Sequence, residues 1–199
     1  FRSIHRAGSG VILDLIRHAS TGRDGHLDGR TDPVLEDGST DALCARYAGL
    51  PWQRVVSSPR QRALATADAL ALPHGVEVVA DEEWAELDFG DWDGQALHAL
   101  PMQELSAFHL DPHANPPPHG ASWGHFDRRI ARLLPRLLDD PDPLPTLIVS
   151  HGGPLRMVPS PGCGLRVAVC RALANRHGTP LKLPVAASAV PPQALTSHL

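Results

Sequence analysis

The sequence predicts an α/β fold: a three-layer sandwich with a mostly parallel central sheet flanked by helices. Short aliphatic runs of strand length alternate with longer segments of helical periodicity, which is the pattern of a parallel sheet. Three of those runs end in cationic or imidazole side chains. Leu13-Asp14-Leu15-Ile16 leads into Arg17-His18-Ala19, Val55-Val56 into Ser57-Ser58-Pro59-Arg60-Gln61-Arg62, and Leu147-Ile148-Val149 into Ser150-His151-Gly152-Gly153. The carboxyl edge of an open α/β sheet is where ligands bind, so these residues predict one site. The length of 199 residues fits a single domain with a substantial core.

Residues 11–16 read as a buried strand, followed by a loop over 19–36 rich in Gly, Asp and Thr. Residues 38–47 read as a helix and 54–57 as the second strand. Ser58 and Pro59 are expected to open a helix running to about Leu70, as N-cap and first helical residue. Residues 76–80 predict a third strand, 81–94 an acidic and aromatic block, and 97–110 a helix. Pro112, Pro116, Pro117 and Pro118 make 111–120 an irregular excursion over the site. Phe126, Ile130, Leu133, Leu134 and Leu137 form a helical stripe within 123–138, despite Pro135. A loop over 141–145 enters the strand 146–149. Residues 165–174 are expected to be a helix and 181–185 a last strand. The expected domain spans 11–185, preceded by an extension over 1–10 and followed by a loose Ala/Pro/Ser-rich tail over 186–199.

A net charge of −4 argues against nucleic acid as partner, but local arginines can still draw a small anion. No stretch reaches the roughly 20 apolar residues of a membrane span, so no membrane partner is expected. The first ten residues lack the apolar centre of a secretory signal. Cys44, Cys163 and Cys170 are too few and scattered for a disulfide framework or paired-Cys zinc site, and a reducing cytoplasm is the expected compartment. A Cys163–Cys170 bridge is left open.

Two histidines and two arginines at one sheet edge predict phosphoryl chemistry. A phosphomonoester dianion repels anionic nucleophiles. Neutral imidazole attacks without that penalty, so His18 can form a phosphohistidine. Arg17 and Arg62 offer forks to the nonbridging oxygens, and a protonated His151 would add a donor. Gly152 and Gly153 would let the backbone approach the ligand. An acid must then protonate the leaving oxygen.

These residues fall into four ordered blocks that resemble the histidine phosphatase superfamily, with its phosphoglycerate mutase-like fold. They are Arg17-His18-Ala19-Ser20-Thr21; Ser57-Ser58-Pro59 with Arg62, Ala63, Thr66 and Ala67; Glu86 through Gly94; and Ser150-His151-Gly152-Gly153. The resemblance implies His18 as nucleophile, Arg17, Arg62 and His151 as phosphate pocket and Glu86 as acid, with no metal or other cofactor. Thr21, Gly152, Arg30 and Ser122 are further expected substrate contacts. The ligand implied is a small phosphorylated metabolite or inorganic phosphate. The block around Phe89 and the loop Gly29-Arg30-Thr31-Asp32-Pro33 look most like α-ribazole phosphatases of cobalamin biosynthesis.

The chain departs from the family in three places. Ala19 stands where Gly is usual, and would be strained there if the position needs φ > 0. Gly120-Ala121-Ser122 lacks a Glu that often precedes the Ser. Pro159 and Pro161 interrupt 157–171 where a helix is expected. Two other readings compete: a phosphoglycerate mutase, for which Arg23, Arg30 and Arg60 are too few extra cations, and a catalytically inactive phosphate-binding relative. The histidine pairs His109/His113, His26 with Asp28, and His119/His125 read as exposed side chains rather than metal ligands. Trp84, Trp92, Trp123 and Phe126 read as packing. The oligomeric state is left open, with a homodimer as the alternative to a monomer.

Overall fold

A computed structural model describes residues 13–138, 144–157 and 170–173. Its sheet has the order β3-β2-β4-β1-β5, from β1 (Leu13–Arg17), β2 (Arg54–Ser57), β3 (Val78–Ala80), β4 (Thr146–Ser150) and β5 (Cys170–Leu173). All the described strand pairs are parallel. The helices are α1 (Asp41–Tyr47), α2 (Gln61–Ala71), α3 (Met102–Leu110), α4 (Trp123–Leu138) and α5 (Gly152–Met157).

Strand alternation sends side chains to two separate cores. Leu13, Leu15, Val56 and Ile148 meet Trp84, Leu87, Phe89, Phe108, Phe126, Ile130 and Leu133 on one face. Ile16, Val55, Leu147 and Val149 meet Tyr47, Trp52, Ala63, Ala67 and Leu70 on the other. The sheet therefore lies between α1 and α2 on one side and α3 and α4 on the other, the three-layer sandwich expected. Trp84, Trp92 and Phe126 are buried as predicted, and Trp123 stacks edge-on to Phe108 with ring centres 5.8 Å apart.

Several elements differ from the expectation. Residues 170–173, placed in a helix by the sequence, form β5 against β1, with Cys170 opposite Leu13 and Leu173 opposite Ile16. Four residues of mixed polarity carry no period that separates a strand from a helix turn; pairing along the edge of β1 decided it. The helix expected from Leu97 is broken, because Leu100 precedes Pro101 and is driven to extended backbone. Helix α2 begins at Gln61, after an extended Arg60, rather than at Ser58-Pro59. Its first amides are satisfied from outside: Gln61 N donates to Asp32 Oδ2 at 2.6 Å. Strand β3 starts at Val78, two residues late. The extension over 1–10, Cys163, the strand 181–185 and the tail lie outside the described residues. Among the described residues no helix is long and apolar enough to cross a membrane.

Candidate active site

The register of β1, β4 and β2 brings three of the four sequence blocks together. Arg17 lies opposite Ser150, and Ser57 opposite Val149. Beyond the last rungs the pairing continues: His18 N donates to Ser150 O at 3.0 Å, and Ser58 N to Val149 O at 2.9 Å. His18, Ser58 and His151 thus leave the same sheet edge side by side. The rings of His18 and His151 stand 5.2 Å apart, centre to centre, tilted by 58°.

The backbone fixes the state of His18. Its Nδ1 is 2.8 Å from Ala19 O, and a carbonyl only accepts, so Nδ1 carries the hydrogen. In the neutral ring Nε2 then holds a bare lone pair. Burial, then the Arg17 and Arg62 charges, lower the pKa to about 3 against the pull of the Ala19 hydrogen bond. The expected observation is a neutral, Nδ1-protonated His18 down to about pH 4, read from imidazole ¹H–¹⁵N correlations. The unfolded chain, with an ordinary histidine near pH 6.5, binds that proton first. The His18 contribution to stability therefore falls as pH drops from about 6.5 toward about 3. A ring titrating near 6.5 in the folded protein would contradict this.

His151 is 1% exposed, and burial followed by the charges of Arg62, His18, Arg17 and Arg60 holds it well below the usual histidine range. The protonated His151 considered from the sequence gives way to a neutral ring with one N–H. Its Nε2 lies 2.7 Å from Ser58 Oγ, and Ser58 Oγ also accepts from Arg60 N at 3.3 Å. His151 Nδ1 is buried without a hydrogen-bond partner.

Arg62 is also 1% exposed. Its Nη1 donates to Thr31 O at 2.8 Å and Asp32 Oδ1 at 2.9 Å, and its Nη2 to Asp28 O at 2.7 Å. Burial lowers its pKa, and the carboxylates of Asp32, Glu86 and Asp28 oppose that. Its Nε is buried and unpartnered, like His151 Nδ1. Thr66 joins this helix to the His18 loop: its hydroxyl accepts from Ala19 N at 2.9 Å and donates to Arg62 O at 2.7 Å.

The loop that holds Arg62 is itself latched. Asp93 accepts from the amides of Gly29 at 3.2 Å, Arg30 at 2.6 Å and Thr31 at 2.7 Å. Burial opposes ionisation of Asp93, but the Thr31 hydroxyl and these amides outweigh it and keep the carboxyl below its usual range. A side chain at Gly29 would overlap Leu87 O at 2.2 Å, so the loop passes tight against the acidic block.

Glu86 sits in that block. Its Oε1 accepts from Leu87 N at 2.9 Å and its Oε2 from Gly153 N at 3.0 Å, two residues beyond His151. The fourth block thereby joins the other three. A Cβ on Gly153 would stand 2.0 Å from Glu86 Oε1, whereas one on Gly152 would meet nothing closer than 3.5 Å. The close approach foreseen for the glycine pair thus falls on Gly153, and the neighbour is the carboxylate.

A family model described as histidine phosphatase superfamily (branch 1) matches residues 13–179. The chain belongs to that superfamily. It is 32% identical over 161 residues to the bifunctional protein Rv2228c of Mycobacterium tuberculosis, covering 76% of this chain and 44% of that protein. The chain thus spans less than half the length of the curated relatives it first matches. The alpha-ribazole phosphatase from Shigella flexneri superposes with a TM-score of 0.63 at 28% identity, over 71% of this chain and 74% of that one. A phosphoserine phosphatase from Entamoeba histolytica, solved with 3-phosphoglyceric acid, gives 0.64 at 28% identity, over 73% and 76%. Homologues in the superfamily are phosphatases or mutases.

Measured against the superfamily blocks, the remaining expected contacts are placed unevenly. Arg17 ends β1 beside His18, and Thr21 follows in a half-buried turn closed by Ser20 and Gly22. Arg30 is exposed and 3.4 Å from Asp88. Ser122 is exposed and accepts from His125 N at 3.3 Å, so its hydroxyl caps α4. Ala19 carries no left-handed strain: among the described residues His119 alone, of the non-glycines, has positive φ. Asp32, Asp93 and Arg129 support the site without a motif that marks them in the sequence. The Gly/Asp-rich composition of 19–36 marked a loop, but only the fold shows which cation it holds.

Proposed function

We propose that this superfamily member is a metal-independent phosphomonoesterase acting on a small phosphorylated metabolite through a phosphohistidine. The single observation that carries the reading is the His18 ring, locked with its Nδ1–H donated to Ala19 O and kept neutral among arginines. Such a ring attacks a phosphoryl group with no base to assist it.

Arg62 and His151 supply the unpartnered Nε and Nδ1 to the phosphoryl oxygens, and Arg17 adds charge from the end of β1. His18 Nε2 forms the N–P bond as the P–O bond to the leaving group breaks, and Glu86 gives its proton to the departing oxygen. Water then loses a proton to Glu86 and attacks phosphorus. The P–N bond breaks, and phosphate and neutral His18 are restored. The loops 22–37 and 111–122 select the substrate. α-Ribazole 5′-phosphate is the first candidate, supported by the loop Gly29 to Pro33, the block at Phe89 and the Shigella likeness.

The test is phosphate release from a panel of phosphomonoesters in excess EDTA, with α-ribazole 5′-phosphate and phosphoglycerates included. Turnover that survives EDTA is expected. Transfer between phosphoglycerates primed by a bisphosphoglycerate would make the chain a mutase, binding without turnover an inactive relative, and loss in EDTA a metal enzyme.

Gly153→Ala checks the seat of Glu86. The added methyl cannot coexist with the carboxylate 2.0 Å away, so Glu86 must swing or α5 must shift. The expected loss in kcat is about 10²-fold, the lower end of general-acid contributions. Gly152→Ala is expected to cost far less. Equal effects from the two would contradict the seating of the acid.

A further inference from the structure

Resting on the reading of Glu86 as the acid, we propose that Arg129 of α4 is a positioning residue that sets the aim of the Glu86 carboxyl. Residues 85–89 belong to no helix or strand, so contacts from outside hold the backbone at Glu86. Arg129 supplies them. Its Nη2 donates to Ala85 O at 2.7 Å and reaches Glu86 O at 3.5 Å, while Nη1 donates to Glu82 O at 3.2 Å. One planar fork thereby ties the carbonyls of Ala85 and Glu86 to that of Glu82, the first residue of the preceding helical turn, Glu82–Trp84.

The fork is itself held in place. The guanidinium lies 5.1 Å above the centre of the Phe126 ring, and Phe126 is 3% exposed. Phe126 Cζ stands 3.2 Å from where a Cβ of Gly153 would be, so the same ring backs the residue whose amide binds Glu86 Oε2. On the far side Ser150 Oγ donates to Trp84 O at 2.7 Å and ties the turn to β4. Glu86 is thus fixed at both ends: its backbone by Arg129, its carboxylate by Leu87 N and Gly153 N. Burial of the Arg129 cation presses its pKa down, and Glu86, Glu83 and Glu82 oppose that. A cation used only for packing would be replaced by an apolar side chain at little loss. Here it meets carbonyls that an apolar group would leave bare.

The test uses leaving groups. An acidic phenol departs without a proton, whereas a weakly acidic one needs it. kcat/KM is measured over substituted phenyl phosphates for wild type, Arg129→Met and Glu86→Gln. For Arg129→Met the expected loss is about 10-fold on phenyl phosphate and under about 2-fold on 2,4-dinitrophenyl phosphate, because misaimed acid catalysis matters only where a proton must be given. Equal losses along the series would make Arg129 structural and overturn the proposal. If Glu86→Gln is selective and Arg129→Met is not, the proposal alone falls. If Glu86→Gln is also flat, the reading of Glu86 falls with it. Should Arg129→Met fail to fold, Arg129→Lys in the same series decides. One ammonium meets one carbonyl, so about a 3-fold loss confined to the poor leaving groups is expected, and a flat series overturns the proposal.

Discussion

His18→Ala is expected to abolish turnover, by about 10⁴-fold or more, on every phosphomonoester the protein accepts. The loss is that of the bond-forming atom, and the pocket offers no substitute. His151 Nε2 is engaged with Ser58 Oγ, and its ring centre is 5.2 Å from that of His18. The fold should be untouched. The contact that anchors residue 18 to the sheet runs from its backbone amide to Ser150 O and survives the substitution. Phosphate binding, read by calorimetry, should therefore persist within a few-fold, because Arg17, Arg62 and His151 remain. In wild type, rapid quench into alkali should trap an enzyme-bound phosphoryl group that the variant lacks. Turnover above 1% of wild type in His18→Ala would end the phosphohistidine mechanism.

Arg62→Ala is expected to lose activity and stability together. Its guanidinium is buried and binds three groups of one loop: Thr31 O, Asp32 Oδ1 and Asp28 O. Removing it takes a donor from the transition state, worth about 10²–10³-fold in kcat. It also leaves two carbonyls bare and takes the cation from Asp32, which is 24% exposed and keeps its bond from Gln61 N, at a cost of about 3 kcal/mol. The thermal midpoint should fall accordingly. Arg62→Lys separates the two effects. It keeps the charge, but a single ammonium cannot hold the loop and also face the phosphoryl group, so activity should still drop by about 10-fold or more. An Arg62→Lys protein with wild-type kcat/KM would show that the fork is not used.

The parallel sheet, the residues at its carboxyl edge and the order of the four blocks are legible in the amino-acid order. Aliphatic runs such as Leu147-Ile148-Val149 are strands by composition and length. Whatever follows a strand in such a sheet emerges at the ligand-binding edge, so His18, Arg62 and His151 group into one site from their places after the strands, while their separate roles follow from the family resemblance. The strand at Cys170–Leu173 is not legible in the same way, because four residues of mixed polarity carry no period and become a strand only by pairing with β1. Its place before Pro59 marks Ser58 as a helix cap, yet its hydroxyl meets His151, 93 residues away. The tautomer of His18, the clamp of Asp28, Thr31 and Asp32 on Arg62, the seat of Glu86 against Gly153 and the hold of Arg129 on Ala85 emerge only in the folded chain. The last three depend on groups from distant segments, most of them backbone carbonyls or amides, and the first on how the chain turns after β1 to bring the neighbouring carbonyl of Ala19 to the ring. A sequence records which side chains are present, but the backbone groups they bind are chemically alike at almost every position, and only the fold selects which of them comes within reach.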